Sequence, residues 1–191
     1  LVGKSAYLSF HRAQKDGRPL PQEQCLLQQA YINGSEIHNH ETTFWHASGS
    51  SVIVECSVVP LKTNDTRQGS VIAFSDISQR KKLEGELVWQ ANHDSLTKLH
   101  NRHFFEKHLS AEVQQLNRSN MLSALMYVDL DRFKYINDTA GHTAGDRLLI
   151  EVSRLLQTRV RESDLLARVG GDEFSIILRN IDDEALAAVC N

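Results

Sequence analysis

Cysteine and proline are scarce in this sequence, and long apolar runs are missing altogether. The three cysteines, Cys25, Cys56 and Cys190, are scattered through 191 residues. They form no CxxC pair, and a reducing, cytoplasmic interior is the expectation. No stretch approaches the roughly 18 apolar residues of a membrane span, and no signal peptide is visible. Charge is not extreme either, with 21 basic against 24 acidic residues and a formal net charge of −3. That balance offers no basic field for nucleic acid, and Arg80-Lys81-Lys82 is too short to make one. What remains, 41% hydrophobic and 24% charged, is an ordinary globular composition of one or two domains. The first residue is Leu1 rather than methionine, which fits an excerpt of a longer chain; any membrane segment would then lie outside it.

The first half reads as a helix followed by an antiparallel sheet. Residues 23–32 carry apolar side chains at helical spacing, and Asn33-Gly34 ends the run. Residues 42–47, 51–61 and 70–74 are rich in strand formers and are separated by Ser48-Gly49-Ser50 and by the polar stretch 62–69. Three strands and one helix make a half-shell, too little to close a core alone. Residues 78–92 then predict a helix, with Ser78 as its cap, Lys81 and Lys82 exposed, and Leu83 and Leu87 on one face. Two readings stay open for it: a linker helix on its own domain, or a short parallel coiled coil joining two protomers.

From His93 onward helix and strand alternate. Residues 103–116 predict a helix, and 121–129 form an apolar run ending in an acid, which suits a buried central strand. Residues 144–160 are amphipathic, with Leu148, Val152, Leu155 and Leu156 on one stripe. Residues 165–168 and 174–178 predict a hairpin whose turn is supplied by glycine, and Asp182 opens a last helix. Helices packed on a sheet define an α/β layer, so the whole chain is expected to combine an α+β first part with an α/β second part.

Chemistry concentrates in two stretches. In V128-D-L-D-R-F-K-Y-I-N-D-T-A-G-H-T-A-G-D146, Asp129 and Asp131 stand where the predicted strand ends, a place where α/β folds commonly bind ligands. In R168-V-G-G-D-E-F174, Asp172 and Glu173 sit side by side on a glycine turn, where like charges repel unless a cation lies between them. If the hairpin lies beside the strand, Asp172 approaches Asp129. Two carboxylates plus the Leu130 carbonyl suit Mg²⁺, a hard cation that leaves positions for phosphate oxygens. Lys134 can neutralise a phosphate, and Asn137 with Asp146 supplies the amide and carboxylate that a guanine edge needs. Taken singly each residue has a plainer use: Asp131 caps a helix, Gly141 and Gly145 make turns, Lys134 is solvated and His142 is structural. Their joint spacing is what argues for a site.

These motifs resemble the GGDEF-family diguanylate cyclases. R168-V-G-G-D-E-F174 is similar to the family signature, H93-D-S-L-T-K-L-H-N-R102 to its opening motif, and D129-L-D-R-F-K134 with N137-D-T-A-G-H-T-A-G-D146 to its nucleotide motif. The resemblance covers residues 93–191, with Lys98 standing where glycine is usual, a surface turn expected to be without consequence. It implies a palm-like βαββαβ domain, truncated here at its C-terminus, that condenses two GTP into cyclic di-GMP with release of pyrophosphate. It implies metal binding (Mg²⁺, with Mn²⁺ as a substitute) by Asp129, Leu130 and Asp172. Asp172 would be the base for the 3′-hydroxyl, with Glu173 assisting. Lys134, Asn137, His142, Asp146, Gly170 and Gly171 would bind substrate. Each domain would hold one GTP, so a homodimer is expected. R161-E-S-D164 resembles the family's product-inhibition site, with Arg161 for phosphate or the guanine Hoogsteen edge and Asp164 for a guanine N–H; the alternative is an exposed ion pair.

The first half resembles, more loosely, the C-terminal portion of a PAS sensor domain, through L1-V-G-K4, F10-H-R-A-Q-K-D-G17, F44-W-H-A-S-G-S50, G69-S-V-I-A-F74 and D76-I-S-Q-R-K81. The expected organisation is therefore a partial PAS domain at 1–77 with an unknown ligand, a signalling helix at 78–92 and a GGDEF domain at 93–191. A rival reading makes the second half a GTP or cyclic di-GMP receptor that governs a downstream EAL phosphodiesterase. His38, His40 and His46 are better explained by exposed polar alternation than by a metal.

Overall fold

The computed structural model describes residues 4–63, 66–118 and 122–181; Cys190 and the helix expected at Asp182 lie outside them. The chain forms two compact units, Leu1–Gly85 and Glu86–Asn191. Among the described residues no helix is long and apolar enough to cross a membrane.

In the first unit, three antiparallel strands stand in the order β1 (Ile37–Trp45), β2 (Ser51–Thr63), β3 (Thr66–Asp76). The core is Cys25, Leu27, Ala30, Phe44, Val54, Cys56 and Val58, with Tyr7, Phe10 and Ile72 packed around it. A short α1 (Ala6–Phe10) precedes the sheet and was not foreseen. The helix expected at 23–32 is divided: a 3₁₀ turn at Gln22–Gln24 leads into α2 (Leu26–Asn33). The break falls at Cys25, whose backbone is extended and whose sulfur caps α2 by accepting from Gln28 N–H. Gly34 closes α2 in the left-handed region, φ 65°, as glycine readily does. β1 and β3 are longer than the expected 42–47 and 70–74, because pairing with β2 recruits polar residues that show no strand signal alone.

α3 (Ser78–Asn92) has the expected bounds and buries no residue. Its start is fixed differently from expectation. The Asp76 carboxylate accepts the Ser78 N–H at 2.8 Å, and the Ser78 hydroxyl instead accepts the Ile53 N–H of β2 at 3.1 Å. Lys81 is paired rather than free, 2.7 Å from Glu41, and Arg80 lies 3.0 Å from Glu55.

The second unit has a four-stranded sheet in the order β4 (His100–Asn101), β6 (Leu165–Arg168), β7 (Glu173–Leu178), β5 (Ala124–Asp129). β4 runs parallel to β6, and β7 is antiparallel to both β6 and β5. The strand expected to be central is thus the outer one among the described residues, and β7 occupies the middle. β5 alternates along its length, leaving Leu125 44% and Tyr127 67% exposed, whereas Phe174, Ile176, Ile177 and Leu178 of β7 are buried. An apolar run reports hydrophobicity; which faces are covered is decided by neighbours. On one side of the sheet Phe174, Ile176 and Leu178 pack with Leu149, Val152 and Leu156 of α6 (His142–Gln157). On the other, Ala167 and Ile177 meet Phe105 of α4 (Arg102–Leu116). The stripe of α6 is rotated from expectation: Leu155 is exposed and Leu149 buried.

Candidate nucleotide site

The signature hairpin joins β6 to β7. Its last ladder pair is Arg168 with Phe174, after which Val169 N–H and Gly170 N–H both donate to the Glu173 carbonyl, at 2.9 and 3.3 Å. Neither turn glycine has a positive φ, so the left-handed freedom of glycine is not what the turn uses. A Cβ on Gly170 would lie 2.2 Å from Glu173 Oε2 and 2.9 Å from its Cδ, while one on Gly171 would meet nothing within 4 Å. Gly170 therefore makes room for the Glu173 side chain, and Gly171 keeps the tip open.

The register between β5 and β7 sets Asp129 opposite Glu173. One step on, Leu130 N–H donates to the Asp172 carbonyl at 3.3 Å, bringing Asp172 to the end of β5 as expected. The two adjacent acids are not equivalent. Glu173 folds over Gly170 and stands 3.7 Å from the Arg102 guanidinium, a cation the sequence reading had not enlisted. The donors that Asp129, Asp172 and the Leu130 carbonyl offer at this strand end are all oxygen. That carbonyl accepts one hydrogen bond, from Phe133 N–H at 3.1 Å, leaving its second lone pair. Such a set fits a hard divalent cation such as Mg²⁺.

The chain turns from β5 into α5 (Phe133–Ala140) through Arg132, whose left-handed backbone (φ 60°) makes it the helix N-cap without a side-chain cap; Asp131 does not serve as the cap. Gly141, φ 84°, separates α5 from α6. Gly145, for which a turn was the plainer single-residue reading, lies inside α6, where it is buried. A Cβ there would come within 2.0 Å of Asn137 Oδ1 and 3.1 Å of Phe133 Cζ. The missing side chain lets the Asn137 carboxamide lie directly on the α6 backbone, next to Asp146. Lys134 and His142 are exposed on α5 and at the start of α6.

The opening motif grips the signature hairpin. Asp94 Oδ1 accepts from Thr97 N–H (2.8 Å), Thr97 Oγ1 (2.6 Å) and Arg168 Nη1 (3.0 Å). Burial raises the Asp94 pKa, but the Thr97 and Arg168 hydrogen bonds outweigh it and hold the carboxyl below its ordinary range. Arg168 also donates to the Gly171 carbonyl at 2.7 Å, and Arg102 Nε to the Val169 carbonyl at 2.6 Å. Asn101 caps α4 through Phe104 N–H and donates to the Ala91 carbonyl at the end of α3. Asp94, Arg102 and Arg168 lay within quoted motifs without a role. The signal available was charge: two arginines and one acid in the motifs that flank a glycine turn. Lys98, expected to be without consequence, has φ 66°, the region glycine favours.

In the turn 161–164, the Asp164 carboxylate accepts Arg161 N–H at 2.9 Å and Arg179 N–H at 3.2 Å. The carboxylate is thus engaged by backbone, and among the described residues no hydrogen bond or ion pair engages the Arg161 guanidinium. In the first unit, His38 pairs with Glu36, and His40 borders a cavity of about 430 Å³ together with His11.

The sequence model of the family "Diguanylate cyclase, GGDEF domain" matches residues 91–191, more than half the chain. The chain belongs to that family. It is 45% identical over 139 residues to the probable diguanylate cyclase DgcE of Escherichia coli strain K12, covering 72% of this chain and 13% of that protein. Because that alignment is longer than the family match, it extends into residues ahead of position 91. The cyclic di-GMP phosphodiesterase PdeB of Shewanella oneidensis is 43% identical over 119 residues, covering 62% of this chain and 13% of PdeB. The chain therefore spans a small part of the length of these curated relatives. Among solved structures, the coiled coil and GGDEF domain of DgcB from Caulobacter crescentus, in complex with c-di-GMP, superposes with a TM-score of 0.57 at 25% identity over 60% of each chain.

Proposed function

We propose that this chain is part of a diguanylate cyclase that condenses two GTP into cyclic di-GMP, releasing two pyrophosphates. The observation that carries the reading is the β5–β7 register, which brings Asp172 of an open glycine turn to Asp129 and Leu130. Asp129, the Leu130 carbonyl and Asp172 would hold Mg²⁺, or Mn²⁺ in its place. When bound, the metal supplies charge stabilisation at the α-phosphate and acidifies the attacking hydroxyl. Asp172 accepts the 3′-hydroxyl proton. Glu173 assists by holding the turn through Gly170 and Arg102, Asn137 and Asp146 read the guanine edge, Lys134 meets phosphate, and His142, Gly170 and Gly171 border the substrate. One domain carries one such set, so two GTP-loaded domains must face each other in a homodimer. DgcB, crystallised with its coiled coil, supports α3 as the pairing element. The first unit would be the PAS-type regulator, the turn Arg161–Asp164 the site of product feedback, and the GTP pool would place the reaction in the cytoplasm.

The test is turnover of GTP to cyclic di-GMP by the full-length protein with Mg²⁺. Asp172→Ala is expected to abolish it with an unchanged circular dichroism spectrum; undiminished turnover would refute the assignment. The similarity to PdeB favours a second reading, in which the domain binds nucleotide and controls a phosphodiesterase in the same chain. On that reading the wild-type protein hydrolyses cyclic di-GMP in a GTP-dependent manner and makes none.

A further inference from the structure

We propose that Arg179, anchored by the buried Glu112, is a positioning residue that presents the Arg161–Asp164 turn to a phosphodiester. The inference rests on the reading of that turn as the product site. Arg179 follows β7 and touches the turn twice. Its Nη1 donates to the Ser163 carbonyl at 3.0 Å, and its backbone N–H donates to Asp164 Oδ1 at 3.2 Å. Its Nε donates to Glu112 Oε2 of α4 at 3.0 Å, and Glu112 Oε1 accepts the Ser123 hydroxyl at 2.6 Å. Glu112 is only 8% exposed, so its carboxylate is fixed on both oxygens in a dry setting. The turn is thereby clamped to α4 through one guanidinium fork, a geometry lysine does not reproduce.

The clamp has a chemical consequence. With the Asp164 carboxylate engaged by two backbone N–H groups, it makes no side-chain ion pair with Arg161. Arg159, Arg161 and Arg179 line one small cleft with Asp164, Leu178 and Ile181; with the Arg179 charge held by Glu112, two further arginines share that cleft with a single carboxylate that is already hydrogen-bonded. Such an excess suits phosphate oxygens, which Arg binds through paired N–H donors. A turn already held in place spares a rigid dinucleotide the cost of ordering it on binding.

The experiment is calorimetry of cyclic di-GMP binding to this chain, with binding of a non-hydrolysable GTP analogue as control. Arg179→Ala would leave Glu112 buried and unpaired, so folding alone could cause a loss. The decisive variant is therefore Glu112→Leu/Arg179→Met, since apolar replacements of a buried ion pair commonly fold as well as the pair. It should melt near the parent temperature and bind the GTP analogue unchanged, while cyclic di-GMP affinity falls at least about tenfold, the scale of losing hydrogen bonds to a charged group. Arg179→Lys should fall short of full affinity. Parental product affinity in the double variant, with Arg161→Ala abolishing binding, would overturn the clamp and leave the site standing. Parental affinity in Arg161→Ala itself would overturn the site and the clamp with it.

Discussion

Single atoms decide much of the local geometry of this domain, and Gly145 is the sharpest case. Glycine inside a helix costs about 1 kcal/mol against alanine, so α6 carries a local penalty at that position. The gain is contact, because the Asn137 carboxamide occupies the space where a Cβ would be, 2.0 Å from its Oδ1. Gly145→Ala should therefore separate stability from binding. The helix gains propensity, while on the proposed reading the displaced amide would present the wrong edge to guanine. We expect a melting temperature equal to or above the parent and GTP affinity reduced about tenfold, the worth of one or two hydrogen bonds. Calorimetry beside a thermal melt checks both; unchanged affinity would mean that Asn137 does not read the base. Lys98 shows the reverse arrangement, a side chain where the backbone favours none. Its Nζ donates to the Ser95 carbonyl and lies 5.5 Å from the Trp89 ring, contacts that offset part of the strain.

Where elements meet, the same logic produces a titratable joint. Trp89 and His93 near the end of α3, His100 of β4, and Phe104 and His108 of α4 stack in series, with centroid separations of 4.6, 4.6, 3.8 and 4.1 Å. Burial lowers the His100 pKa, His93 and His108 add repulsion, and the Asn92 backbone offsets a part. A histidine depressed in the folded state takes up its proton more readily when unfolded. Its stabilising contribution is present above the ordinary pKa of about 6.5 and is lost as pH falls through the lower folded value. The melting temperature of the second unit should fall on acidification below about pH 6.5, and His100→Phe should flatten that slope. His11 in the first unit is lowered by burial too, so the comparison must be variant against parent. Equal slopes would remove His100 as the cause. The ladder was not legible in the sequence, since Trp89 and His108 are distant in the chain and histidine spacing shows no period. The motifs were legible because each is local: a strand end, a turn or a helix start. α3 was legible to the residue, bounded by Asp76 and the Asp94 turn. The exposure of β5 and the Glu112–Arg179 pair were not, because both depend on residues far apart in sequence.

At the scale of the molecule, α3 is, among the described residues, the element that runs from the first unit into the second. Its first turn is fixed to the sheet of the first unit by the Ile53–Ser78 hydrogen bond and by Arg80 and Lys81 on Glu55 and Glu41. Its last turn is fixed to the second unit, where Asn101 holds the Ala91 carbonyl and Asp94 opens the turn that Arg168 joins to the signature hairpin. Between them, Leu83, Leu87 and Val88 are 50%, 65% and 63% exposed on a helix that buries nothing within one chain. Leu83 and Leu87, four residues apart, are the residues a second copy would cover. If catalysis needs two GTP-loaded domains opposed, rotating the helix about its axis changes the rate without touching a catalytic group. One residue inserted after Leu87 turns everything downstream by about 100° at 3.6 residues per turn. Seven residues add close to two full turns and return the face to about 20° from its start. The full-length protein with the single insertion should lose most of its regulated cyclic di-GMP synthesis, and the seven-residue insertion should restore the larger part of it. Both variants should retain GTP-analogue affinity, because the site lies outside the helix. If the two insertions give the same rate, α3 acts as a tether and its register carries no signal.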